Sequence, residues 1–446
     1  MLKRKIIEKI ENWKQTKTGQ GLLITGARQV GKTSAVEQFA RDNYRSFLKI
    51  DFVERPDAVE LIGEAKSLDD LIVRITALSS SPIASDAKTL LFFDEVQRCG
   101  DAITWMRYLA QDNRFDVIYS GSMLGVEAYH FRSLPVGTID ILEMFPMDFE
   151  EFSWALGVDK SLWDIVRACY RKREQVPPFI HKRLVETYYR YVLVGGMPEA
   201  VQLFVSTHDT QAMRARQQGI LEAYRADIVR YAETPAHAQR IRTIYDAMPA
   251  QLNKDNKRFL VTGIDKRKRF LDLQPDFDWL ANAGVAIPVK RASEPMFPLG
   301  LSREDSFFKF YLSDVGLLFS TFSPADVEAI VAQRDSVNFG QAFENAVAQE
   351  LRACGHSSLF YFNAAKVGEV DFLIEDKRSP IVLPVEVKSG RYSTKHAALD
   401  RLMSVENYGL TQAVVLHRDN VVDEKTILYL PLYMAALLKE MPQMKG

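Results

Sequence analysis

The sequence contains few cysteines, and they lie far apart. Cys99, Cys169 and Cys354 are the only three in 446 residues, and no CxxC pair occurs. Zinc sites and disulfide frameworks need paired or closely spaced cysteines, so the sequence argues against both and fits a reducing cytoplasm. The seven histidines show no HExxH or other metal-ligand spacing. Cysteine and histidine therefore predict no metal centre.

Long apolar runs and an excess of charge are also missing. No run approaches the roughly 18 residues of a membrane span, and Glu8 and Glu11 interrupt the apolar positions of the N-terminal stretch, which favours an amphipathic helix over a signal peptide. The 57 basic and 58 acidic residues leave a net charge of -1, so a nucleic-acid contact would need a local basic patch. A composition of 47% hydrophobic and 26% charged residues indicates a globular protein. We expect a cytoplasmic protein of two to four domains with no membrane partner.

The first 150 residues alternate short apolar segments with helix-like stretches. Between the apolar segments, Lys32–Asp42 and Asp101–Asp112 have helical spacing. This alternation is typical of a parallel α/β sheet. The predicted strands are Gly21–Thr25, Phe47–Asp51, Thr89–Asp94, Asp116–Ser120 and Thr138–Glu143.

The loop after the first predicted strand carries the strongest motif, a complete GxxxxGK[ST] followed by a helix. Such a loop turns its backbone N–H groups and the helix N-terminus toward a polyphosphate. Lys32 would reach the β- and γ-phosphates, and the Thr33 hydroxyl would bind Mg²⁺. The motif predicts an ATP and Mg²⁺ site. Its residues are Gly26, Ala27, Arg28, Gln29, Val30, Gly31, Lys32, Thr33 and Ser34.

Two adjacent carboxylates end the third predicted strand. Asp94 and Glu95 follow Thr89-Leu90-Leu91-Phe92-Phe93, a buried-strand pattern. Phosphoryl transfer to water needs charge neutralisation and an oriented nucleophile. Asp94 would hold the water shell of Mg²⁺, and Glu95 would polarise the attacking water. With the loop, these residues predict an NTPase site.

The phosphate loop and Asp94-Glu95 resemble the AAA+ and STAND branches of the P-loop NTPases. The resemblance extends to Val117-Ile118-Tyr119-Ser120-Gly121-Ser122, a strand whose polar tip, here Ser120, senses the γ-phosphate. It also implies that Arg132 acts as an arginine finger on a neighbouring subunit. The resemblance further includes a turn, Val194-Gly195-Gly196-Met197-Pro198-Glu199, and implies that its Pro198 lies beside the adenine. A solvated arginine and a simple helix-breaking turn are the alternatives.

Nearly the whole chain resembles a prokaryotic family that pairs an AAA+-like ATPase domain with a C-terminal half of unknown function. The resemblance rests on Leu134-Pro135-Val136-Gly137, on the stretch 144–152 and on the stretch 308–318. We expect an α/β fold with four parts. These are an AAA+-like P-loop core (1–150), a helical lid (151–225), a winged-helix-like domain (226–330) and a nuclease-like α/β domain (331–446).

Three acids and a lysine define the last part. Glu344 lies in a predicted helix, Asp371 in a strand, and Glu386 and Lys388 two residues apart on one face of another strand. This order resembles the PD-(D/E)XK nuclease core. The resemblance implies that Asp371 and Glu386 bind one or two Mg²⁺ or Mn²⁺ ions, with Lys388 beside the nucleophile and Glu344 as an accessory ligand. The alternative is an ordinary amphipathic strand.

A basic stretch lies in the winged-helix-like region. Nine lysines and arginines stand between Arg240 and Phe270, against three aspartates. Within it, Lys266–Arg269 could contact DNA phosphates. A solvated surface of mixed charge is the competing interpretation.

Three functions are compatible with these features. The first is an ATP-hydrolysing AAA+/STAND-like ATPase, expected to form a homo-oligomer, whose nucleotide state controls a C-terminal nuclease-like module acting on DNA. The second is a nucleotide-dependent switch or scaffold whose module binds DNA or protein without cleaving it. The third is a ring-forming motor that remodels DNA or protein and needs Arg132 to act between subunits.

Overall fold

A computed structural model of the chain describes residues 2–17, 20–79, 89–112, 114–121, 137–254, 257–331, 339–376, 380–390, 395–424 and 426–440. The chain divides into two compact units. The N-terminal unit comprises Arg4–Phe145 with Asn282–Gly284, and the C-terminal unit comprises Met1–Lys3, Pro146–Ala281 and Val285–Gly446. No helix within these described ranges is long and apolar enough to span a membrane.

The N-terminal unit is built on a parallel sheet. Its strands are β1 (Gly21–Thr25), β2 (Ser46–Asp51), β3 (Thr89–Asp94), β4 (Asp116–Gly121) and β5 (Ile139–Glu143). They lie in the order β2-β3-β4-β1-β5, and every neighbouring pair is parallel. β1, β3 and β4 are buried along their whole length, as expected for the continuous apolar runs of central parallel strands. The predicted parallel α/β sheet is therefore confirmed.

Helices cover both faces of this sheet. One face packs on Trp13, Val36 and Phe39, and the other packs on Leu71 and Met106. These two apolar layers hold the carboxyl ends of β1, β3 and β4 at one edge of the sheet. The described helices of the unit are Ile6–Thr16, Lys32–Asn43, Asp57–Gly63, Leu68–Ala77 and Gly100–Gln111, with a 3₁₀ turn at Val96–Arg98.

The first part of the C-terminal unit is helical, as the sequence predicts for residues 151–225. An aromatic group centred on Phe149, with Trp163, Tyr188 and Tyr191 around it, forms its core. The helices are Phe149–Ala155, Lys160–Lys172, Pro178–Val194, Pro198–Thr207, Thr210–Tyr231, Pro235–Leu252 and Phe270–Asn282.

The second part contains a mixed sheet of eight described strands in the order β12-β13-β11-β10-β9-β8-β6-β7. Its helices are Val315–Phe319, Pro324–Val331, Gly340–Cys354 and Ala397–Met403, and short 3₁₀ segments lie at Val261–Gly263, Leu299–Ser302, Glu406–Tyr408 and Leu432–Lys439. The strands are β6 (Ala286–Ala292), β7 (Arg303–Leu312), β8 (Leu359–Ala364), β9 (Gly368–Asp376), β10 (Ile381–Val387), β11 (Ala413–His417), β12 (Val422–Glu424) and β13 (Ile427–Pro431).

The β6–β7 hairpin belongs to this large sheet. The sequence assigns it to a winged-helix-like domain that ends at residue 330, but β6 pairs in parallel with β8, from Val289 opposite Leu359 to Ala292 opposite Phe362. Backbone hydrogen bonds thus join strands from both sides of the predicted boundary at 330/331. The unit is continuous across that boundary, and its division into lid, winged-helix-like and nuclease-like parts stays a prediction.

A buried polar network surrounds the Gly195-Gly196 turn. The backbone N–H of Gly196 donates to Asp314 Oδ2 at 2.5 Å, and Gly196 O accepts from the backbone N–H of Met147 at 2.7 Å. Gln349 Nε2 donates to both Asp314 Oδ2 and the Met147 carbonyl. Burial raises the pKa of Asp314 to about 6, although these donors act in the opposite direction. The turn is therefore a packed junction within the C-terminal unit.

Candidate functional site

The phosphate loop connects β1 to the helix Lys32–Asn43. Gln29 has φ 63° and Gly31, at the start of the helix, has φ 94°. Residues with φ in this region turn the backbone tightly, so that successive N–H groups face one concavity. Gly26 adds a close approach, because a Cβ atom there would lie 2.1 Å from the Met144 carbonyl oxygen. The loop geometry required for polyphosphate binding is present.

Lys32 lies inside this loop. It is 6% exposed, and its Nζ donates hydrogen bonds to the carbonyls of Gly26 at 3.0 Å and Ala27 at 2.8 Å. Burial lowers its pKa, while the nearby charges of Glu95 and Asp94 act in the opposite direction. A buried ammonium whose hydrogen bonds go to neutral carbonyls favours an anionic ligand, because an anion would add to the countercharge of Glu95 and Asp94.

Three predicted residues converge at the ends of neighbouring strands. Thr33 Oγ1 donates to Asp94 Oδ2 at 2.6 Å, and Ser120 Oγ donates to Asp94 Oδ1. Burial raises the pKa of Asp94, and the two hydroxyl donors partly offset this effect. The parallel register of β3 and β4 places both side chains at the same sheet edge, beside the N-terminus of the phosphate-loop helix.

Glu95 follows Asp94 in an unusual backbone conformation. Its φ of 54° turns the chain sharply at the end of β3. Gln97 Nε2 donates to Glu95 Oε2 at 2.5 Å, and Arg28 lies 3.9 Å from the same oxygen. Left-handed backbone in a residue other than glycine costs about 1–3 kcal/mol and is concentrated at functional sites. The turn and its two partners orient the carboxylate that the sequence assigns to water activation.

These residues suit Mg²⁺. The Thr33 hydroxyl is already in contact with the buried Asp94 carboxylate. Mg²⁺ prefers such oxygen ligands and completes its coordination with water. Thr33 and Asp94 are therefore the residues that would hold it. Ser34, also predicted to bind nucleotide, follows Thr33 in the same helix and is exposed. The predicted nucleotide residues of the loop, Asp94, Glu95 and Ser120 all lie in the N-terminal unit.

Two other predicted residues lie elsewhere. Arg132, the predicted arginine finger, falls outside the described residues. Pro198 is the first residue of the helix Pro198–Thr207 in the C-terminal unit. Its contact with adenine stays a prediction.

The structure brings the C-terminal acids and lysine close together. The helix Gly340–Cys354 carries Glu344, β9 carries Asp371, β10 carries Glu386, and Lys388 follows β10 directly. Asp371 Oδ2 accepts a hydrogen bond from the backbone N–H of Val387 at 2.9 Å, which fixes it beside β10. Lys388 Nζ donates to Glu386 Oε1 at 2.7 Å.

Two further lysines in this cluster were missed by the sequence interpretation. Lys309 of β7 is fully buried, and its Nζ lies 2.7 Å from Glu369, 3.5 Å from Asp371 and 3.7 Å from Glu344. Lys257 forms an ion pair with Glu344. No signal in the sequence marks Lys309, because side chains alternate along a strand and a lysine between Phe308 and Phe310 is expected on the solvent-facing side.

Electrostatics within the cluster are strongly coupled. Burial, the main cause, and the neighbouring Asp371, the second cause, raise the pKa of Glu386 to about 8, whereas Lys388 acts to lower that pKa. Burial and Asp371 likewise raise the pKa of Glu344. Burial alone would lower the pKa of Lys309, but the surrounding acidic groups outweigh it and hold that pKa well above its usual range.

The cluster does not fit the second metal ion that the sequence predicts. Among the described residues, no group of three or more His, Cys, Asp or Glu side chains is arranged to hold a metal. Instead, Lys257, Lys309 and Lys388 neutralise the carboxylates. One oxygen, Glu386 Oε2, is buried without a hydrogen-bond partner in the described part of the chain.

The basic stretch is largely engaged within the protein. Arg240 pairs with Asp276 at 2.9 Å, and Arg242 lies 3.7 Å from Asp246. By contrast, Lys266, Arg267 and Arg269 are exposed, and the described residues offer them no side-chain ion pair. The stretch Lys266–Arg269 is thus the part of the predicted patch whose charge faces solvent.

Comparison with protein families supports the N-terminal assignment. A family model described as an AAA domain matches residues 18–153, which contain the phosphate loop and Asp94-Glu95. Two models described as domains of unknown function, DUF8612 and DUF4143, match residues 185–348 and 339–434. The chain thus combines an AAA-type P-loop ATPase domain with two regions of unknown function, as the resemblance implied. No curated protein matches the chain.

Similar solved structures are distant. The Walker-type ATPase of Pyrococcus abyssi has 16% identity and a TM-score of 0.43, with 72% of this chain and 95% of that chain covered. The Aeropyrum pernix Orc1 protein in complex with DNA has 11% identity and a TM-score of 0.30, with 74% and 91% covered. Drosophila ORC bound to DNA has 12% identity and a TM-score of 0.28, with 72% and 93% covered.

Proposed function

We propose that the chain hydrolyses ATP at the phosphate loop and that its nucleotide state controls the C-terminal unit. The observation that carries this proposal is the hydrogen-bonded set of Thr33, Asp94 and Ser120 beside the loop. A bound Mg²⁺, held by Thr33 and the water shell on Asp94, would neutralise phosphate charge. Lys32 would exchange its loop carbonyls for the β- and γ-phosphates, and Ser120 would contact the γ-phosphate.

Glu95 is the proposed base that orients water. Gln97 donates to Glu95 Oε2 and Arg28 lies 3.9 Å from that oxygen, so Oε1 is the oxygen that we propose accepts a proton or a hydrogen bond from water. Two further roles remain proposals that rest on the resemblance alone: Arg132 as an arginine finger and Pro198 as an adenine contact. An Arg132 acting between subunits requires a homo-oligomer, so sizing the protein with a slowly hydrolysed ATP analogue tests this part. A monomer under those conditions contradicts it and the ring-motor alternative together.

Lys32→Ala tests the ATP site. We expect hydrolysis to be lost, because no other described ammonium lies within the loop. Lys66→Ala, the same change at an exposed position of the same unit, should hydrolyse ATP at the wild-type rate. Glu95→Gln should retain ATP binding but lower the rate by about 10²–10⁴-fold. Normal turnover by the Lys32 variant would remove the basis of the proposal.

We further propose DNA as the ligand of the C-terminal unit. The supporting observation is the exposed charge of Lys266–Arg269, which remains uncompensated by described acidic groups. Each lost phosphate contact lowers the dependence of log affinity on log salt by about 0.9. Lys266→Ala with Arg267→Ala should therefore weaken binding to duplex, single-stranded and branched DNA and reduce the salt slope by up to about two.

A matched pair of substitutions controls for the change of net charge. Arg171→Ala with Lys172→Ala removes two exposed charges from the same unit, at a site outside the proposed contact. DNA binding that falls equally in both double variants would show that Lys266–Arg269 has no special role. ATP hydrolysis should be unchanged in both.

The remaining question is whether the C-terminal unit cleaves what it binds. Convergence of Glu344, Asp371, Glu386 and Lys388 supports a nuclease-like module, but their pairing with lysines favours the switch or scaffold that binds without cleavage. The test incubates the protein with DNA and Mg²⁺ or Mn²⁺, with and without ATP. Cleavage that is lost in Glu386→Ala with Lys388→Ala would establish a nuclease instead.

A further inference from the structure

The acidic cluster of the C-terminal unit consists of Glu344, Glu369, Asp371 and Glu386. Its members come from one helix and two adjacent strands, and three of them are at most 8% exposed. Carboxylates in such surroundings need countercharge, because an unpaired buried charge is strongly disfavoured. The identity of the cation that balances them therefore decides what the cluster can do.

Lys309 already makes the contacts that a central cation would make. Its side chain is 0% exposed, and its Nζ is within 4 Å of three different carboxylates of the cluster, with the shortest separation 2.7 Å to Glu369. The ammonium is thus enclosed within the cluster, unlike that of Lys388, whose side chain is 27% exposed.

Outer lysines balance the remaining acids. Lys257 pairs with Glu344, and Lys388 donates to Glu386 at 2.7 Å. Mg²⁺ needs oxygen ligands at about 2.0–2.1 Å in octahedral geometry, and Mn²⁺ favours the same carboxylate and water donors. A divalent ion among these carboxylates would meet the buried positive charge of Lys309. Mutual repulsion would then oppose its binding.

We propose that Lys309 is the resident cation of the acidic cluster and takes the place that the sequence assigned to a divalent metal. With Lys309 present, the cluster binds neither Mg²⁺ nor Mn²⁺. Removal of its charge leaves Glu369 and Asp371 without the ammonium that they share, while Lys257 still pairs with Glu344, and this converts the cluster into a divalent-metal site.

The test is a Mn²⁺ titration of the full chain without nucleotide, followed by electron paramagnetic resonance of the free ion. Every protein in this test carries Asp94→Asn, which removes the metal position expected at the phosphate loop, and the Asp94→Asn protein without further change is called the background. Four proteins are compared: the background alone and the background with Lys309→Met, with Lys309→Arg, or with both Lys309→Met and Asp371→Asn. Methionine keeps the length and apolar stem of lysine, and arginine keeps the charge.

We expect a site only in the Lys309→Met protein, with an affinity at least tenfold above residual binding in the background. It should disappear when Asp371→Asn is added and stay absent in Lys309→Arg. Mn²⁺ should also raise the melting temperature of Lys309→Met selectively. A folded Lys309→Met protein without a new site would overturn the proposal.

A second comparison tests, without any change at Lys309, whether the acidic cluster binds Mn²⁺. The background is titrated beside its Asp371→Asn derivative. Mn²⁺ binding that requires Asp371 while Lys309 is in place contradicts the proposal, and its absence supports it. Because the titration contains no nucleotide, its outcome is independent of the ATPase proposed above, which Lys32→Ala tests separately.

Discussion

Gly26→Ala should damage the N-terminal unit through two separate effects. The residue begins the phosphate loop with a φ of 143°, which side-chain-bearing residues rarely adopt. A Cβ atom there would also lie 2.1 Å from the Met144 carbonyl oxygen. That carbonyl cannot simply retreat, because the Met144 backbone N–H donates to Thr25 O at 2.8 Å and fixes the segment against β1.

The expected cost follows from these two effects. Backbone strain of this kind costs about 1–3 kcal/mol, and overpacking against fixed atoms adds about 1–3 kcal/mol. The sum of about 2–6 kcal/mol is a large part of the roughly 5–15 kcal/mol that stabilises a typical domain. For a unit of this size it corresponds to a melting temperature lower by roughly 5–20 °C. Relief of the clash would distort the loop and reduce ATP affinity as well.

Differential scanning calorimetry of the full chain measures this effect, with the N-terminal transition identified by its shift on addition of ATP and Mg²⁺. Gly137→Ala is the matched control, because Gly137 has a φ of 89° but no atom of the described residues lies within 4 Å of its Cβ position. It should lose only the strain contribution and keep its ATP affinity. Equal losses in both variants, or an unchanged Gly26→Ala, would refute the steric argument.

Three further predictions concern other parts of the chain. Gly196→Ala should destabilise the C-terminal unit by about 1–3 kcal/mol in calorimetry, because its Cβ would lie 2.0 Å from the Met147 carbonyl oxygen. Gly100→Ala is the control and should melt like wild type, because no atom of the described residues lies within 4 Å of its Cβ position. Burial raises the pKa of Asp314 to about 6 from 3.8, so the folded state favours the protonated form. The contribution of Asp314 to stability in urea unfolding should therefore be fully present below about pH 4 and be lost as the pH rises through 6, and Asp314→Asn should remove this contribution. Ser120→Ala removes a donor that favours ionised Asp94, so the acidic limb of the ATPase pH profile should move to higher pH.

The N-terminal site could be predicted from the sequence because its signals are local. The apolar runs of β1 and β3 match their predicted bounds, and each is followed at once by the residues that define the site. A parallel sheet then brings the carboxyl ends of those strands to one edge. The hydrogen bonds of Asp94 with Thr33 and Ser120 follow from that arrangement.

The C-terminal cluster could be predicted only in part, because its charge balance depends on long-range pairing. The positions of Glu344, Asp371 and Glu386 follow from the order of helix and strands. Lys309 reaches them only because the β6–β7 hairpin joins β8, and no local pattern specifies that parallel pairing. The contacts that neutralise Arg240 and Lys257 likewise join residues 36 and 87 positions apart.

The parallel pairing of β6 with β8 has a consequence for dissecting this protein. A fragment that begins after residue 330 would lack β6 and β7 and would expose the unpaired N–H and C=O groups of β8. β8 contributes Leu359, Phe360, Tyr361 and Phe362, all nearly inaccessible in the intact chain. Open edges of this apolar kind pair with other molecules and aggregate. Insolubility of such a fragment would therefore reflect a cut through a sheet, and soluble fragments should begin upstream of Ala286.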